Sequence, residues 1–323
     1  MKPEIIGMGE VLIDFISTEP VSYLEASTFR KCFGGAPMNT IVGAARLGAS
    51  AGAITVVGND PFGQFLLNEL KRNEVDVSHV KIKENIRTTL AFVVNEPETG
   101  ERTFIFYRAP WVRGTSVDVM LLEDVDYEYI SLAKILHVSG FALSSNPSRK
   151  AILSAIIHAK KSGVKVSFDP TLRLDVWSSE NTIKRVYSKI LRLSEIAMFS
   201  REEAEFIFET KEPERAADRA LKYGVEIVGI KLGEMGSLIK TRDGKSIYTP
   251  AFRVKAVDTT GAGDGWNAGL LIGLLRGWDL EKCATVANAV GALVVTKRGA
   301  ITALPYRDEL NKFLESQGLS IRI

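Results

Sequence analysis

The chain has 323 residues, of which 46% are hydrophobic and 25% are charged, which is the composition of a globular protein with a large core. Its 41 basic and 39 acidic side chains give a net charge of +2, which argues against nucleic acid or a membrane surface as a partner. The two cysteines, Cys32 and Cys283, disfavour a disulfide scaffold or zinc site and predict a reducing, cytoplasmic compartment. The apolar stretch around residues 270–275 is too short to span a bilayer.

The N-terminal part predicts strands that alternate with helices. We expect a strand over residues 5–14 that ends in an acid, Asp14, and a helix that starts after Gly34-Gly35-Ala36-Pro37 and ends at Gly48. A second strand is predicted over residues 53–57, and Asp60 is expected to cap the helix that follows it.

The middle of the chain differs from this pattern. Residues 88–95 and 102–107 are rich in β-forming side chains and flank a turn-like segment at residues 96–100. Strands joined by so short a connection should be antiparallel, unlike the rest of the chain. We therefore expect them to form part of a small β flap outside the main sheet.

From residue 135 onwards strands and helices alternate regularly. Strands are predicted at residues 135–138, 165–168, 196–199 and 227–232, with helical patterns between them. This alternation indicates a mostly parallel sheet covered by helices on both faces. Ligands bind such sheets at the carboxyl ends of the strands, where Asp14, Asp169, Arg173 and Ser200 are predicted to lie.

The segment most informative about chemistry is residues 257–265. Gly261, Ala262 and Gly263 have almost no side chains and lie where a helix is predicted to begin, so their amides could receive an anion. Asp264 is expected in the first turn, stabilised as the carboxylate and able to accept a proton. Fixed donors beside a base are what phosphoryl transfer to a hydroxyl requires. As a bare tetrapeptide, residues 261–264 would more often be a simple helix start than an anion site.

Two longer motifs decide between these interpretations. Residues 258–264, Asp-Thr-Thr-Gly-Ala-Gly-Asp, resemble the C-terminal signature of the ribokinase-like (PfkB) carbohydrate kinases. Residues 34–39 together with 44–48 resemble their N-terminal signature. Within the family, residues 100–108 and 168–177 are most similar to bacterial fructokinases.

The resemblance implies a single ribokinase-like α/β domain over residues 1–323. A central, mostly parallel sheet would have helices on both faces, and residues 11–35 and 87–117 would contribute a β lid. That lid serves as a dimer contact in some relatives, so a homodimer is a further expectation.

The resemblance also implies roles for individual residues. Asp264 would be the catalytic base, with the amides of Gly261, Ala262 and Gly263 as the anion hole. The residues expected at the sugar are Asp14, Gly34, Gly35, Asn39, Phe106, Arg108 and Arg173. Rival interpretations are a strand-end cap for Asp14 and a helix-start hydrogen bond for Asn39.

Nucleotide and metal contacts are implied at further positions. The nucleotide residues would be Ser200, Leu232, Gly233, Gly236, Gly263 and Asn288. Glu203 would act on Mg²⁺ through bound water, since Ser200 replaces the asparagine of many relatives; its rival interpretation is a solvated helix face. Asp258 and Thr260 match ligands of a monovalent-cation site, with K⁺ as the expected ion, although Asp258 could instead only hydrogen-bond its loop.

The implied reaction is transfer of the γ-phosphoryl group of ATP to a primary hydroxyl, with Mg²⁺ on the phosphate oxygens. Fructose is the first choice of substrate. A 2-keto-3-deoxygluconate kinase is the alternative, because Arg108 and Arg173 could bind a carboxylate. A surface ion pair is the rival interpretation of Arg108. An aminoimidazole riboside or nucleoside-type kinase and a catalytically inactive sugar or nucleotide sensor remain open.

Overall fold

The structure is a computed structural model that describes residues 2–95 and 102–323, so the turn predicted at residues 96–100 lies outside the described residues. In chain order the strands are β1 (Ile5–Met8), β2 (Leu12–Ser17), β3 (Phe29–Gly34), β4 (Ala51–Ile54), β5 (Val56–Gly58), β6 (Lys81–Lys83), β7 (Leu90–Asn95), β8 (Arg102–Tyr107), β9 (Ile135–Ser139), β10 (Lys165–Asp169), β11 (Ile196–Ser200), β12 (Ile227–Lys231), β13 (Ser237–Thr241) and β14 (Ser246–Thr249).

The α-helices connect these strands and cover them. They are α1 (Ala36–Arg46), α2 (Pro61–Arg72), α3 (Tyr127–Ser131), α4 (Ser148–Lys161), α5 (Glu180–Leu191), α6 (Arg201–Phe208), α7 (Pro213–Leu221), α8 (Ala262–Leu275), α9 (Leu280–Val295) and α10 (Arg307–Ser316). In the part of the chain that the structure describes, no helix is both long and apolar enough to cross a membrane.

The large sheet has eight strands in the order β14-β13-β12-β11-β10-β9-β1-β4. The strands from β12 to β4 are parallel, as predicted, while β13 and β14 add an antiparallel edge. The expectation that only the middle of the chain is antiparallel is therefore wrong. Neighbouring residues of one strand face two different cores: Ile135 packs with α1, α8 and α9, and Leu136 with α4 and α5. Helices thus cover both faces of the sheet.

A separate small sheet has the order β3-β2-β7-β8 and contains the segments predicted for the lid. As expected, β7 and β8 are antiparallel. One boundary was wrong: residues 5–14 form two strands, not one. The backbone turns at Gly9, whose φ of +145° suits glycine, and so β1 joins the large sheet while β2 joins the small one. Asp14 therefore lies in the middle of a strand of the small sheet rather than at the end of the first strand.

The strand predicted at residues 53–57 is also divided. β4 ends at Ile54 in the large sheet, and β5 pairs with β6 in a two-stranded sheet of its own. This break, like the one at Gly9, occurs where the chain leaves the large sheet at its carboxyl edge. The small sheet consequently lies beside that edge, and the space between them is where the predicted site residues meet.

Candidate active site

The site lies where the strands of the large sheet end and α8 begins. Gly261 precedes α8 in a left-handed conformation, with φ of +75°. A Cβ at this position would lie 2.9 Å from Cα of Ala300, so only glycine fits between the two segments. The first amides of a helix lack partners within the helix, but that of Ala262 donates to the carbonyl oxygen of Thr259 (3.2 Å). An anion at this helix start would therefore rely mainly on the amides of Gly261 and Gly263.

Asp264 occupies the first turn of α8 and contacts α1. Its Oδ2 accepts a hydrogen bond from Nδ2 of Asn39 at 2.8 Å. Burial raises the pKa of Asp264 to about 7; the bond from Asn39 lowers it and the charge of Asp169 raises it further. The helix start was expected to stabilise the anion, whereas desolvation and the like charge of Asp169 act on the pKa of Asp264 in the opposite direction. A carboxyl group with this pKa is well matched to accept a proton near neutral pH.

Sequence reasoning missed Lys231, the last residue of β12. Its Nζ is 2.6 Å from Oδ2 of Asp169, and Asn267 bonds to both groups. Although burial disfavours its charge, Asp169 and Glu203 hold the pKa of Lys231 above its ordinary value. A Cβ on Gly263 would lie 3.5 Å from this ammonium group. A fixed positive charge thus adjoins the predicted anion hole, and its position at a strand end was the signal that could have revealed it.

The small sheet and the start of α1 contribute several of the residues predicted to bind sugar. Asp14 is half-buried, and a Cβ on Gly34 would lie 2.3 Å from its Oδ2, so glycine is what allows this approach. Burial raises the pKa of Asp14 to about 7, against the opposing charges of Arg173 and Arg102. Gly35 has φ of +115° and caps α1, which carries Asn39. Phe106 is buried against Phe141, with their ring centroids 4.9 Å apart. Asp14 and Phe106 lie in register across the strands of the small sheet, Asp14 opposite Ala91 of β7 and Ala91 opposite Phe106 of β8, so both side chains are on the same face of it.

The two arginines considered for a sugar acid occupy different environments. Arg108 is fully buried, 2.6 Å from Oδ1 of Asp118, and donates to the carbonyl oxygen of Phe141. It is neither the surface ion pair considered above nor an open carboxylate receptor. Arg173 is half-buried, lies over the ring of Phe104 and donates to the carbonyl oxygen of Leu172. Only Arg173 therefore keeps guanidinium surface directed at the site.

The predicted nucleotide and magnesium residues lie after β11 and β12. Ser200 and Glu203 cap α6 reciprocally, so the solvated helix face considered for Glu203 is wrong. The two carboxylate oxygens of Glu203 accept from the amides of Ser200 and Leu172 at 2.8 Å each. Burial raises the pKa of Glu203, and Asp169 raises it further. The like charges of Asp169 and Glu203 favour cations nearby, and Lys231 already supplies one of them at Asp169.

That arrangement fits magnesium held through water and phosphate oxygens. Among the described residues, no group of three His, Cys, Asp or Glu side chains could hold a metal by itself. Mg²⁺ commonly binds one or two carboxylates together with substrate phosphates. Glu203 would hold its water shell, and the ion would neutralise charge on the phosphates.

The loop after β12 fits the approach of a nucleotide. Gly233 has φ of +61° and open space where a Cβ would lie, so a ligand can meet its backbone. Gly236 is different, because a Cβ there would lie 2.0 Å from the carbonyl oxygen of Thr249. Its role is to let the loop turn. The amide of the buried Leu232 donates to the carbonyl oxygen of Gly236 at 2.8 Å.

Asn288 has a structural role that the sequence did not indicate. Its Oδ1 accepts from Ser237 and from Nε1 of Trp266, both at 2.8 Å. Its Nδ2 donates to the carbonyl oxygens of Thr249 and Pro250. An asparagine amide has two donors and two acceptor sites, so all four are used. Contact with adenine could occur only through van der Waals packing.

The predicted monovalent-cation residues form a closed network. Oδ1 of Asp258 accepts from the amide (2.9 Å) and the hydroxyl (2.6 Å) of Thr260, and Oδ2 accepts from the amide of Gly299. The hydrogen-bonding role considered for Asp258 is therefore present. Arg102 of β8 also lies 3.1 Å from Oδ1 of Asp258. A cation bound here would share Asp258 with these partners.

Comparisons with known proteins show what this chain is similar to. The family model for pfkB family carbohydrate kinases matches residues 2–307. The chain is 37% identical to "Probable fructokinase-7" of Arabidopsis thaliana, over 97% of this chain and 92% of that protein. It is 34% identical to a fructokinase of Salmonella typhimurium, over 97% and 99% of the two chains. It is also 34% identical to 5-dehydro-2-deoxygluconokinase of Clostridium perfringens, over 98% and 94%.

Solved structures give the same result. A double-mutant fructokinase of Vibrio cholerae O395, with fructose, ADP and potassium ion bound, superposes with a TM-score of 0.85 at 32% identity. The match covers 97% of this chain and 99% of that one. An Escherichia coli structure in complex with ATP and Mg²⁺ superposes with a TM-score of 0.88 at 27% identity, over 97% and 99%.

Proposed function

The chain belongs to the pfkB family of carbohydrate kinases and is an ATP-dependent sugar kinase, and we propose that it phosphorylates fructose at a primary hydroxyl to give fructose 6-phosphate. The single observation that carries the proposed chemistry is Asp264 at the start of α8, with a pKa of about 7 and its carboxylate bonded to Asn39. In this proposal Asp264 accepts the proton of the sugar hydroxyl as the hydroxyl oxygen attacks the γ-phosphorus of ATP. The bond from that phosphorus to the β,γ-bridging oxygen breaks, and ADP leaves with the bridging oxygen.

The other side chains are assigned by their charge and position. The amides of Gly261 and Gly263, with Lys231 beside them, receive the negative charge of the transferring group. Asp14 and the backbone at Gly34 and Gly35 bind sugar hydroxyls. The backbone around Gly233 meets the nucleotide. Mg²⁺ supplies charge neutralisation on the phosphate oxygens, and K⁺ near Asp258 and Thr260 would stabilise the loop before α8.

Fructose is preferred over a sugar acid for an electrostatic reason. The guanidinium of Arg108 is already paired with Asp118, which leaves Arg173 alone to meet a substrate carboxylate. Asp14 on the same side would repel that carboxylate once ionised. The sugar-acid kinase nevertheless stays the second candidate, since the relative named 5-dehydro-2-deoxygluconokinase acts by name on an acid, though a different one from 2-keto-3-deoxygluconate.

The test is one ATP-coupled assay over fructose, 2-keto-3-deoxygluconate and aminoimidazole riboside. We expect kcat/KM for fructose to exceed that for the acid at least tenfold, a difference of about 1.4 kcal/mol in transition-state binding. Arg173→Ala should lower kcat/KM for the acid far more than for fructose. A higher kcat/KM for the acid would replace fructokinase by the second candidate, and no turnover of any sugar would favour the sensor.

The assembly and location stay proposals as well. The outer side of the small sheet exposes Ile105 and Tyr107, which are 44% and 48% accessible, and apolar surface of this kind is where a homodimer would bury area. We propose a cytoplasmic location, which the low cysteine content supports.

A further inference from the structure

Arg102, the first residue of β8, extends from the small sheet to the loop that precedes α8. Its Nη1 donates to the hydroxyl of Thr260 and its Nη2 to that of Thr259. The same Nη2 lies 3.1 Å from Oδ1 of Asp258. We propose that Arg102 is a positioning residue that fastens the small sheet to this loop and so couples closure over the sugar to the geometry of the anion hole.

The residues that Arg102 contacts directly precede the anion hole in the chain. Thr260 is followed by Gly261, which begins α8, so the position of the Thr260 hydroxyl is tied to that of the first helix amides. Asp258 holds the same loop from the other side, through the amides of Thr260 and Gly299. A guanidinium bridging Asp258 and both threonines therefore restrains the segment that receives the phosphoryl charge.

The environment of Arg102 indicates that these contacts matter. The side chains of Arg102 and Asp258 are 16% and 13% exposed, so the pair is screened less than an ion pair on the surface. Burial lowers the pKa of Arg102, with Asp258 and Asp14 acting in the opposite direction. A guanidinium that is removed from water must form hydrogen bonds with protein acceptors instead. The loop before α8 supplies these acceptors only when the small sheet lies against it.

The consequence concerns the order of events in catalysis. This inference rests on the proposed function and on the expectation that the small sheet is a lid that closes over the sugar. If binding of the sugar moves the small sheet towards the large sheet, Arg102 contacts the loop before α8 in the same movement. The anion hole is then restrained only when an acceptor is present. Loss of Arg102 should then lower kcat/KM for the sugar and allow water to compete with it for the phosphoryl group.

The experiment compares Arg102→Ala with Arg102→Lys and with Arg30→Ala, which removes an exposed arginine of β3 in the same sheet. Steady-state assays measure kcat, KM for fructose and ATP hydrolysis without sugar. Hydrogen exchange of residues 29–34 and 102–107 is measured with ADP, with and without fructose. For Arg102→Ala we expect kcat/KM for fructose to fall at least tenfold. The rate of ATP hydrolysis without sugar should rise relative to the rate of sugar phosphorylation. Addition of fructose should slow hydrogen exchange less in this variant than in the native protein. Arg102→Lys should recover part of each effect, and Arg30→Ala should match the native protein.

Thr259→Val provides an independent arm, because Thr259 is exposed and its side chain is outside the assigned machinery. Combined with Arg102→Ala it should add nothing to the effect of Arg102→Ala alone, because the contact that Thr259→Val removes is one of the three that Arg102→Ala already removes. Fully additive effects, or native kcat/KM and native sugar-dependent protection in Arg102→Ala, would overturn the proposal. Those results leave fructose phosphorylation by the native enzyme intact, whereas a native enzyme inactive on every sugar would remove the proposed function itself.

Discussion

At the scale of single residues, the chemistry of the site depends on ionisable groups whose pKa values are shifted by burial. Glu10 is a buried residue between β1 and β2 whose carboxylate accepts from the hydroxyl of Ser139. Asp264, Asp14 and Glu10 all have a pKa raised to about 7 by burial. Lys231 and Asp169 are instead held in their charged forms by each other, against the cost of burial. A base near neutrality beside a permanent cation is the combination that proton removal and phosphoryl transfer require.

Asp264→Asn should lower kcat by about 10²–10⁴-fold, because the variant cannot accept the hydroxyl proton. Native activity should rise with pH through about 7, because the base must be deprotonated. In the variant, the part of this rise that comes from Asp264 should be absent. kcat measured between pH 5 and 9 checks both points. The exposed Asp308→Asn is the matched control and should leave the profile unchanged. A near-native kcat in Asp264→Asn would contradict the role as base.

At the scale of secondary-structure elements, one side chain of α9 forms hydrogen bonds with three neighbouring elements. Asn288 joins this helix to β13, to the end of β14 and to α8, the helix that carries Asp264. Apolar packing orients helices only loosely, whereas four directed hydrogen bonds specify one arrangement. The placement of α8 therefore depends partly on a residue that the resemblance assigned to the nucleotide.

Asn288→Ala should lower the free energy of unfolding by about 2–4 kcal/mol, because it leaves the indole N–H of Trp266 and its other partners unpaired. KM for ATP, measured well below the melting temperature, should change little. Denaturant unfolding and steady-state kinetics test the two statements, with the exposed Asn68→Ala as control. A large rise in KM for ATP at nearly native stability would instead favour the predicted contact with adenine.

At the scale of the whole molecule, the site lowers stability at the pH where it works. For Asp264, Asp14 and Glu10 the pKa in the folded state lies above that of the unfolded chain. Between about pH 4 and 7 the folded protein therefore binds more of their protons, so their contribution to stability falls as pH rises and is lowest above 7. Buried His137 opposes this trend, since burial lowers its pKa to about 4 and its contribution falls below pH 6.5.

Asp264→Asn should consequently raise the melting temperature at pH 8 by about 2–6 °C, because it removes a buried charge while keeping an acceptor for Asn39. At pH 5 native Asp264 is already neutral, so the difference should shrink towards zero. Thermal unfolding of both proteins at the two pH values is sufficient. An equal difference at pH 5 and pH 8 would show that Asp264 ionises without a cost from burial.

The sequence by itself determined the fold class, the alternation of strands and helices that builds the large sheet, the antiparallel pair of the small sheet and the helix start at Gly261–Asp264. Each of these depends on patterns within a few tens of residues, such as hydrophobic period, turn residues and a signature motif. Only the tertiary structure decided the sign of the pKa shift of Asp264, the pairing of Arg108 with Asp118, the position of Lys231, and the use of Asn288 as a structural link. Burial and contact between residues far apart in the chain control these properties, because the energy of a charge or an amide depends on which groups replace its water.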